Sequence, residues 1–208
     1  MRTLLGIDIG TSSTKAVLID LSGKLLARSQ SEYPIDSPKP GWAEQHPETW
    51  WTAVKETVRA VLSQSGANPL GIAGIGLSGQ MHGTVLLDKN KRLLRPAVIW
   101  ADRRSRKQCD AVQELLGKER LRDLAGNSLS PGFMAATLLW LKENEPEVFS
   151  QIATVFLPKD YVRFKLTGEY ATEVSDASGT SLFNVPQRRW SELILERIDL
   201  PAEFFRPY

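Results

Sequence analysis

Near its N-terminus the chain alternates apolar runs with very short connections. Three short runs rich in Val, Ile and Leu are separated by turns too tight for a crossover. The runs are Leu4 to Ile9, Thr14 to Ile19 and Lys24 to Ser31; Gly10-Thr11-Ser12-Ser13 parts the first pair and Leu21-Ser22-Gly23 the second. Parallel neighbours need a crossover of a dozen residues or more, so connections this short predict an antiparallel, three-stranded meander.

The first of those turns carries more polar chemistry than a turn needs. In "GIDIGTSSTKAVLID" a carboxylate, Asp8, ends the first strand and three hydroxyls follow Gly10. On one reading this is a phosphate and magnesium site. Gly10 lets the backbone approach closely, successive amides form a concave anion site, and the Thr11 and Ser12 hydroxyls donate further bonds. Asp8 would hold Mg²⁺ through its waters, because that ion keeps much of its hydration shell. On the other reading the stretch is a hairpin whose Ser and Thr cap their own backbone, with Asp8 solvated. It is not a Walker-type loop, since no Gly-Lys-Ser/Thr follows.

Farther along, "YPIDSPKPGWAEQ" (Tyr33 to Gln45) reads as a loop anchored by Trp42. Pro47 and Glu48 open a helix over residues 47–65, with Trp51, Val54, Val58, Val61 and Leu62 at helical spacing. Strands are predicted at Ile72 to Leu77, Val85 to Leu87, Ala97 to Trp100 and Val155 to Leu157. Helices are predicted around Val112 to Leu116, around Ala136 to Trp140, and from Pro158 to Leu166, the last closed by Gly168. Ser175-Asp176-Ala177-Ser178-Gly179 reads as a turn cluster. The order is α/β: a mixed sheet with an antiparallel three-stranded start and flanking helices.

Composition excludes several classes. Lys plus Arg number 26 against 24 acids, which argues against non-specific nucleic-acid binding. No apolar run approaches membrane-spanning length. The single cysteine, Cys109, cannot form an internal disulfide and reads as a packing thiol; a cytoplasmic location is expected. Arg103 to Lys107 reads as a solvated helix start.

Blocks spread from residue 6 to 180 resemble, in order, the N-terminal domain of the FGGY family of carbohydrate kinases. They are the opening stretch, "PGWAEQHPETWW", "GIGLSGQMHGTVLLD", "AVIWADRRS" and "LPKDYVRFKLTGEYATEVSDASGT". The resemblance implies an actin-like, ribonuclease-H-like ATPase fold for residues 1–208 and ATP-dependent phosphorylation of a sugar. It makes Asp8 the metal-binding, catalytic carboxylate and Gly10, Thr11, Ser12 and Ser13 the contacts to ATP. "SGQMHG" then offers Gln80 and His82 to sugar hydroxyls and Met81 to a carbon face, the Met-His pair touching sugar in the family. Trp100, Asp102 and Arg103, at the end of another strand, join them as substrate contacts; the bland reading there is a buried Trp and a solvated Asp-Arg pair.

"GQMHG" favours D-xylulose over ribulose, gluconate or glycerol. Ala136-Thr137 stands where the family commonly has Pro-Lys near the cleft side, and Ala101 where Asn is frequent. No "GGGDN"-like string occurs, so the proton-accepting Asp and the adenosine pocket are expected in a second, C-terminal domain outside these residues. The chain alone is expected to be inactive, either a kinase fragment or a non-catalytic sugar- or phosphate-binding module. Oligomeric state is left open, a homodimer included.

Overall fold

The computed structural model describes residues 2–205. Its elements begin with β1 (Thr3–Ile9), β2 (Ser13–Asp20), β3 (Leu25–Glu32), β4 (Glu44–Gln45), α1 (Pro47–Ser65) and β5 (Ile72–Gly79). There follow β6 (Val85–Leu87), β7 (Ala97–Val98), α2 (Arg106–Leu116), α3 (Lys118–Ala125), α4 (Met134–Asn144) and α5 (Pro146–Phe149). The chain continues through β8 (Thr154–Phe156), α6 (Pro158–Thr167), α7 (Val174–Ser178), β9 (Phe183–Asn184), β10 (Arg189–Trp190) and α8 (Glu192–Arg197). They divide into two compact units, one of Met1–Ile35 with His46–Gln80, the other of Asp36–Gln45 with Met81–Tyr208.

The first unit is a four-stranded sheet in the order β3-β2-β1-β5 with α1 on one face. β1, β2 and β3 form the expected antiparallel meander, Asp8 standing opposite Lys15. β5 joins β1 in parallel, which its long helical connection allows, and sets Ser78 beside Asp8. Alternation along β1 and β2 turns Leu5, Ile7, Ile9, Ala16 and Leu18 inward. α1 answers with Trp50, Ala53, Val54, Thr57 and Val61. Each fully buried Val, Leu or Ile there contributes about 1.5–3 kcal/mol. α1 has the predicted bounds: Pro47 sits in its first turn, the His46 side chain accepts from Glu48 N, and Gly66 closes it at φ 65°.

The second unit packs α2, α3, α4 and α8 with β6 and β8, pairing antiparallel, around Leu86, Leu121, Met134, Leu138, Leu141 and Leu157. α4 is buried at every position from Met134 to Leu138. Ala136 and Thr137 are therefore buried. Residues 174–178 form α7 rather than a turn. Both Glu173 carboxylate oxygens accept from the first amides of that helix, those of Ser175 and Asp176. β7 stops at Val98, because Asp102 N bonds back to Ile99 O and folds the chain away from its strand.

Candidate functional site

The predicted residues fall in both units: Asp8, Gly10 to Ser13 and Gln80 in the first, Met81, His82, Trp100, Asp102 and Arg103 in the second.

In the first unit β1 carries Asp8 to the sheet's end, where Oδ1 accepts from Ser78 Oγ at 2.7 Å. The turn that follows is closed by Gly10 N donating to Ser13 O at 3.0 Å. Gly10 is needed there on steric grounds, since a Cβ would sit 2.9 Å from Ser13 O. The Ser13 side chain is buried at the start of β2, whereas Ser12 is exposed and Thr11 half-buried. Sequence reasoning missed the residue that fixes this turn, Tyr33. Its N–H donates to Ser12 O at 3.0 Å, its hydroxyl donates to Gly10 O at 2.7 Å, and the same oxygen lies 3.2 Å from Thr14 Oγ1. Burial pushes the phenol up to about 12, helped by nearby Asp8, so it remains a donor. Gln80, just past β5, donates its N–H to Ile9 O at 2.7 Å, and its side chain is buried.

In the second unit Met81 is exposed and His82 half-buried at φ 66°. Gly83 N bonds back to Met81 O at 2.8 Å, so His82 is the centre of a three-residue turn. A non-glycine residue held there costs about 1–3 kcal/mol, a strain that clusters at functional sites. The ring is locked on two sides. It stacks on Phe133 at 3.7 Å between centroids and 10° between planes. Its Nδ1 lies 2.6 Å from Gly179 O. A carbonyl can only accept, so Nδ1 carries the proton and Nε2 is the acceptor of the neutral ring. Burial lowers the imidazole pKa against the opposing pull of that bond, which favours the neutral form. A side chain at Gly179 would crowd the ring, because a Cβ would come within 3.1 Å of His82 Cε1 and Nδ1.

Trp100 is 48% exposed and Arg103 is exposed, its N–H bonded to Gly41 O at 2.8 Å. Asp102 is placed differently. Its Oδ2 accepts from Ala43 N at 2.7 Å and from Arg104 Nη2 at 2.7 Å, and its Oδ1 from Arg104 N at 2.8 Å. The carboxylate holds its own loop together. Arg104 is not solvated as expected. Its side chain is 1% exposed, 3.5 Å over the Trp42 ring, and paired with Glu44 at 2.7 Å. Gly132, at φ 84°, backs this loop so closely that a Cβ would lie 2.6 Å from Trp100 O. Phe133 follows directly, so one short segment supports both the Trp100–Asp102 loop and the His82 ring.

No group of three or more His, Cys, Asp or Glu able to hold a metal occurs among the described residues. No helix among them is long and apolar enough to cross a membrane.

Residues 3–207 match the FGGY family of carbohydrate kinases, N-terminal domain. The xylulose kinase of Escherichia coli (strain K12) is 40% identical over 199 residues, 96% of this chain and 40% of that protein. The xylulose kinase of Bacillus subtilis (strain 168) is 41% identical over 207 residues, 100% of this chain and 41% of that protein. Among solved structures, a xyloylose kinase from Brucella ovis superposes with a TM-score of 0.93 at 39% identity, covering 100% of this chain and 43% of that one. A gluconate kinase from Lactobacillus acidophilus gives 0.92 at 29% identity, covering 100% and 42%. The chain spans about two-fifths of the length of the curated relatives it matches. The mixed sheet and flanking helices have the actin-like architecture expected, and the chain belongs to the FGGY family of carbohydrate kinases, matching its N-terminal domain.

Proposed function

We propose that the chain is the substrate-binding, N-terminal part of an ATP-dependent, cytoplasmic sugar kinase that converts D-xylulose to D-xylulose 5-phosphate. The observation that carries this reading is the His82 corner. Its imidazole is locked by Phe133 and Gly179 so that Nε2 accepts, the polarity needed to receive a sugar hydroxyl's proton in a hydrogen bond. Met81 and Trp100, both exposed, offer apolar surface for a sugar's carbon face, while Arg103 adds a polar contact. Asp102 acts as a positioning residue for that loop.

The Asp8 turn fits a magnesium–ATP complex. It offers a lone carboxylate oriented by Ser78, as suits an ion that retains its waters, and a glycine where a side chain would not fit. Asp8 would orient the ion, Gly10 would let the phosphates approach, and the Thr11 and Ser12 hydroxyls would donate to them, with buried Ser13 shaping the turn. Bound there, magnesium–ATP would supply the transferable phosphoryl group with its charge partly neutralised. The group accepting the sugar hydroxyl's proton would come from a second domain, so the 208 residues alone bind sugar weakly and turn over no ATP.

Calorimetric titration of this chain with D-xylulose tests the reading. Binding should weaken roughly ten- to a hundredfold in His82→Ala, about 1–3 kcal/mol for one unsatisfied group. It should be unchanged in Asp8→Asn. Equal affinity of His82→Ala and the parent would refute the sugar site. Because a gluconate kinase shares the fold at 29% identity, D-gluconate is the competing ligand, and tighter binding of it would change the acceptor and keep the family.

A further inference from the structure

The side chain of Asn127 stands outside everything assigned above. It lies between α3 and α4 and grips the last residue of α7 and the loop after it. Nδ2 donates to Ser178 O at 3.1 Å, and Oδ1 accepts from Ser181 Oγ at 3.2 Å. The amide's orientation follows from the first contact, since a carbonyl oxygen can face only the NH₂ end. Those two points bracket Gly179, whose carbonyl accepts from His82 Nδ1 at 2.6 Å. Ser181 itself sits at φ 60°, a conformation that needs surrounding structure to hold it. Other bonds also hold this segment: Ala135 N donates to Thr180 O at 3.2 Å, Thr180 N to Ala177 O at 3.1 Å, Thr180 Oγ1 to Ala177 O at 2.6 Å, and Gly179 N to Asp176 O at 3.0 Å. The last of these holds the N–H side of the peptide that joins Ser178 to Gly179, and Asn127 holds its carbonyl side.

We propose that Asn127 is a positioning residue for the sugar site: by clamping both flanks of Gly179 it aims that carbonyl at His82 and fixes the imidazole as the Nδ1–H tautomer. The role of that tautomer in sugar recognition rests on the function proposed above; the clamp itself does not. The tautomer matters because it decides which ring atom donates. With Nδ1–H held by Gly179, Nε2 presents a lone pair. Released from Gly179, the ring can protonate Nε2 instead and meet a hydroxyl with a donor.

The chain contains two histidines, which makes the test direct. His46 Nδ1 accepts from Glu48 N at 3.3 Å, so a neutral His46 carries its proton on Nε2 and serves as an internal control of opposite tautomer. Side-chain ¹⁵N NMR of the 208-residue chain at neutral pH should show His82 as a single Nδ1–H tautomer. In Asn127→Ala the His82 nitrogens should move to a tautomer average while those of His46 stay fixed. D-Xylulose affinity should fall about tenfold, the size of one lost hydrogen bond. An Nε2–H tautomer for His82 in the parent, or an unmoved Nδ1–H signature in a folded Asn127→Ala, would overturn the proposal. If Asn127→Ala loses the His46 signature and so fails to fold, Asn127→Asp decides the matter. It keeps the shape and the Ser181 bond but sets a carboxylate oxygen against Ser178 O, and it should shift the tautomer likewise; an unshifted His82 there also overturns the clamp. A shifted tautomer with unchanged sugar affinity would uphold Asn127 as the clamp and refute the sugar reading alone.

Discussion

Removing one oxygen from Tyr33 should loosen the Asp8 turn measurably. Tyr33→Phe keeps the ring, which is 7% exposed, and deletes the hydroxyl that donates to Gly10 O at 2.7 Å and lies 3.2 Å from Thr14 Oγ1. The two orphaned groups are unequal. Gly10 is half-buried and can recruit water, so its loss is about 0.5–1 kcal/mol. Thr14 is wholly buried, so its hydroxyl carries nearly the full desolvation cost, about 1–2 kcal/mol. Together they give roughly 1.5–3 kcal/mol, which for a chain of this length lowers Tm by about 3–12 °C. Thermal and urea unfolding of parent and variant would measure it. Thr14→Val supplies the control: it removes the hydroxyl that Tyr33 leaves stranded, so the double variant should be less destabilised than the sum of the singles. A loss below about 0.5 kcal/mol, or strict additivity, would refute the argument that Tyr33 pins the turn.

Asp102→Asn should destabilise the chain by about 3–5 kcal/mol, because it removes a buried carboxylate that Arg104 contacts through Nε and Nη2; a urea midpoint within error of the parent's would show that the Arg104 and Glu44 pair suffices. Asp176, its side chain 8% exposed beside Lys159 at 3.1 Å, is pushed by burial up to about 6, the ammonium opposing the rise. A raised acid stabilises the fold fully below its ordinary value near 3.8 and loses that contribution as pH rises through about 6. Asp176→Asn should therefore gain stability relative to the parent between pH 4 and 6, by at most about 3 kcal/mol at 1.36 kcal/mol per pK step; parallel curves in urea titrations across that range would exclude the shift.

What could be read from the sequence was what is local in it. The meander, the bounds of α1, and the left-handed glycine closing α6 at φ 76° all follow from turn length, hydrophobic period and cap chemistry within a few residues. The Asp8 turn was visible for the same reason. Failures came where a distant partner overrode a local signal. Arg104 sits in a run of charges that looks solvated, yet Trp42 and Trp140, far from it in sequence, enclose its guanidinium. Residues 174–178 have turn composition but become helical, because Glu173, an uncommon cap, reaches two of their amides. Thr137 carries a polar side chain into the core because α4 is surrounded at every position of its first turn.

The same division runs through the candidate site. Residues with evident chemistry, Asp8 and His82, were legible as types at suggestive places. Their working geometry belongs to partners with little chemistry of their own. Tyr33 holds the turn after Asp8 from 23 residues beyond Gly10, and Gly179 meets His82 across 97. Phe133 supplies the stacking face, and Gly179 serves by lacking a Cβ. None of these three residues has a spacing pattern that marks it, because each acts through one contact that exists only after folding. Substitutions at Phe133 or Gly179 should weaken ligand binding while touching no ligand, and they should do so through the His82 tautomer and ring angle rather than through global stability. At Gly179 the backbone φ is −71°, which alanine accepts, so the cost of Gly179→Ala arises from its Cβ pressing on the imidazole at 3.1 Å and on Asp176 O at 3.3 Å.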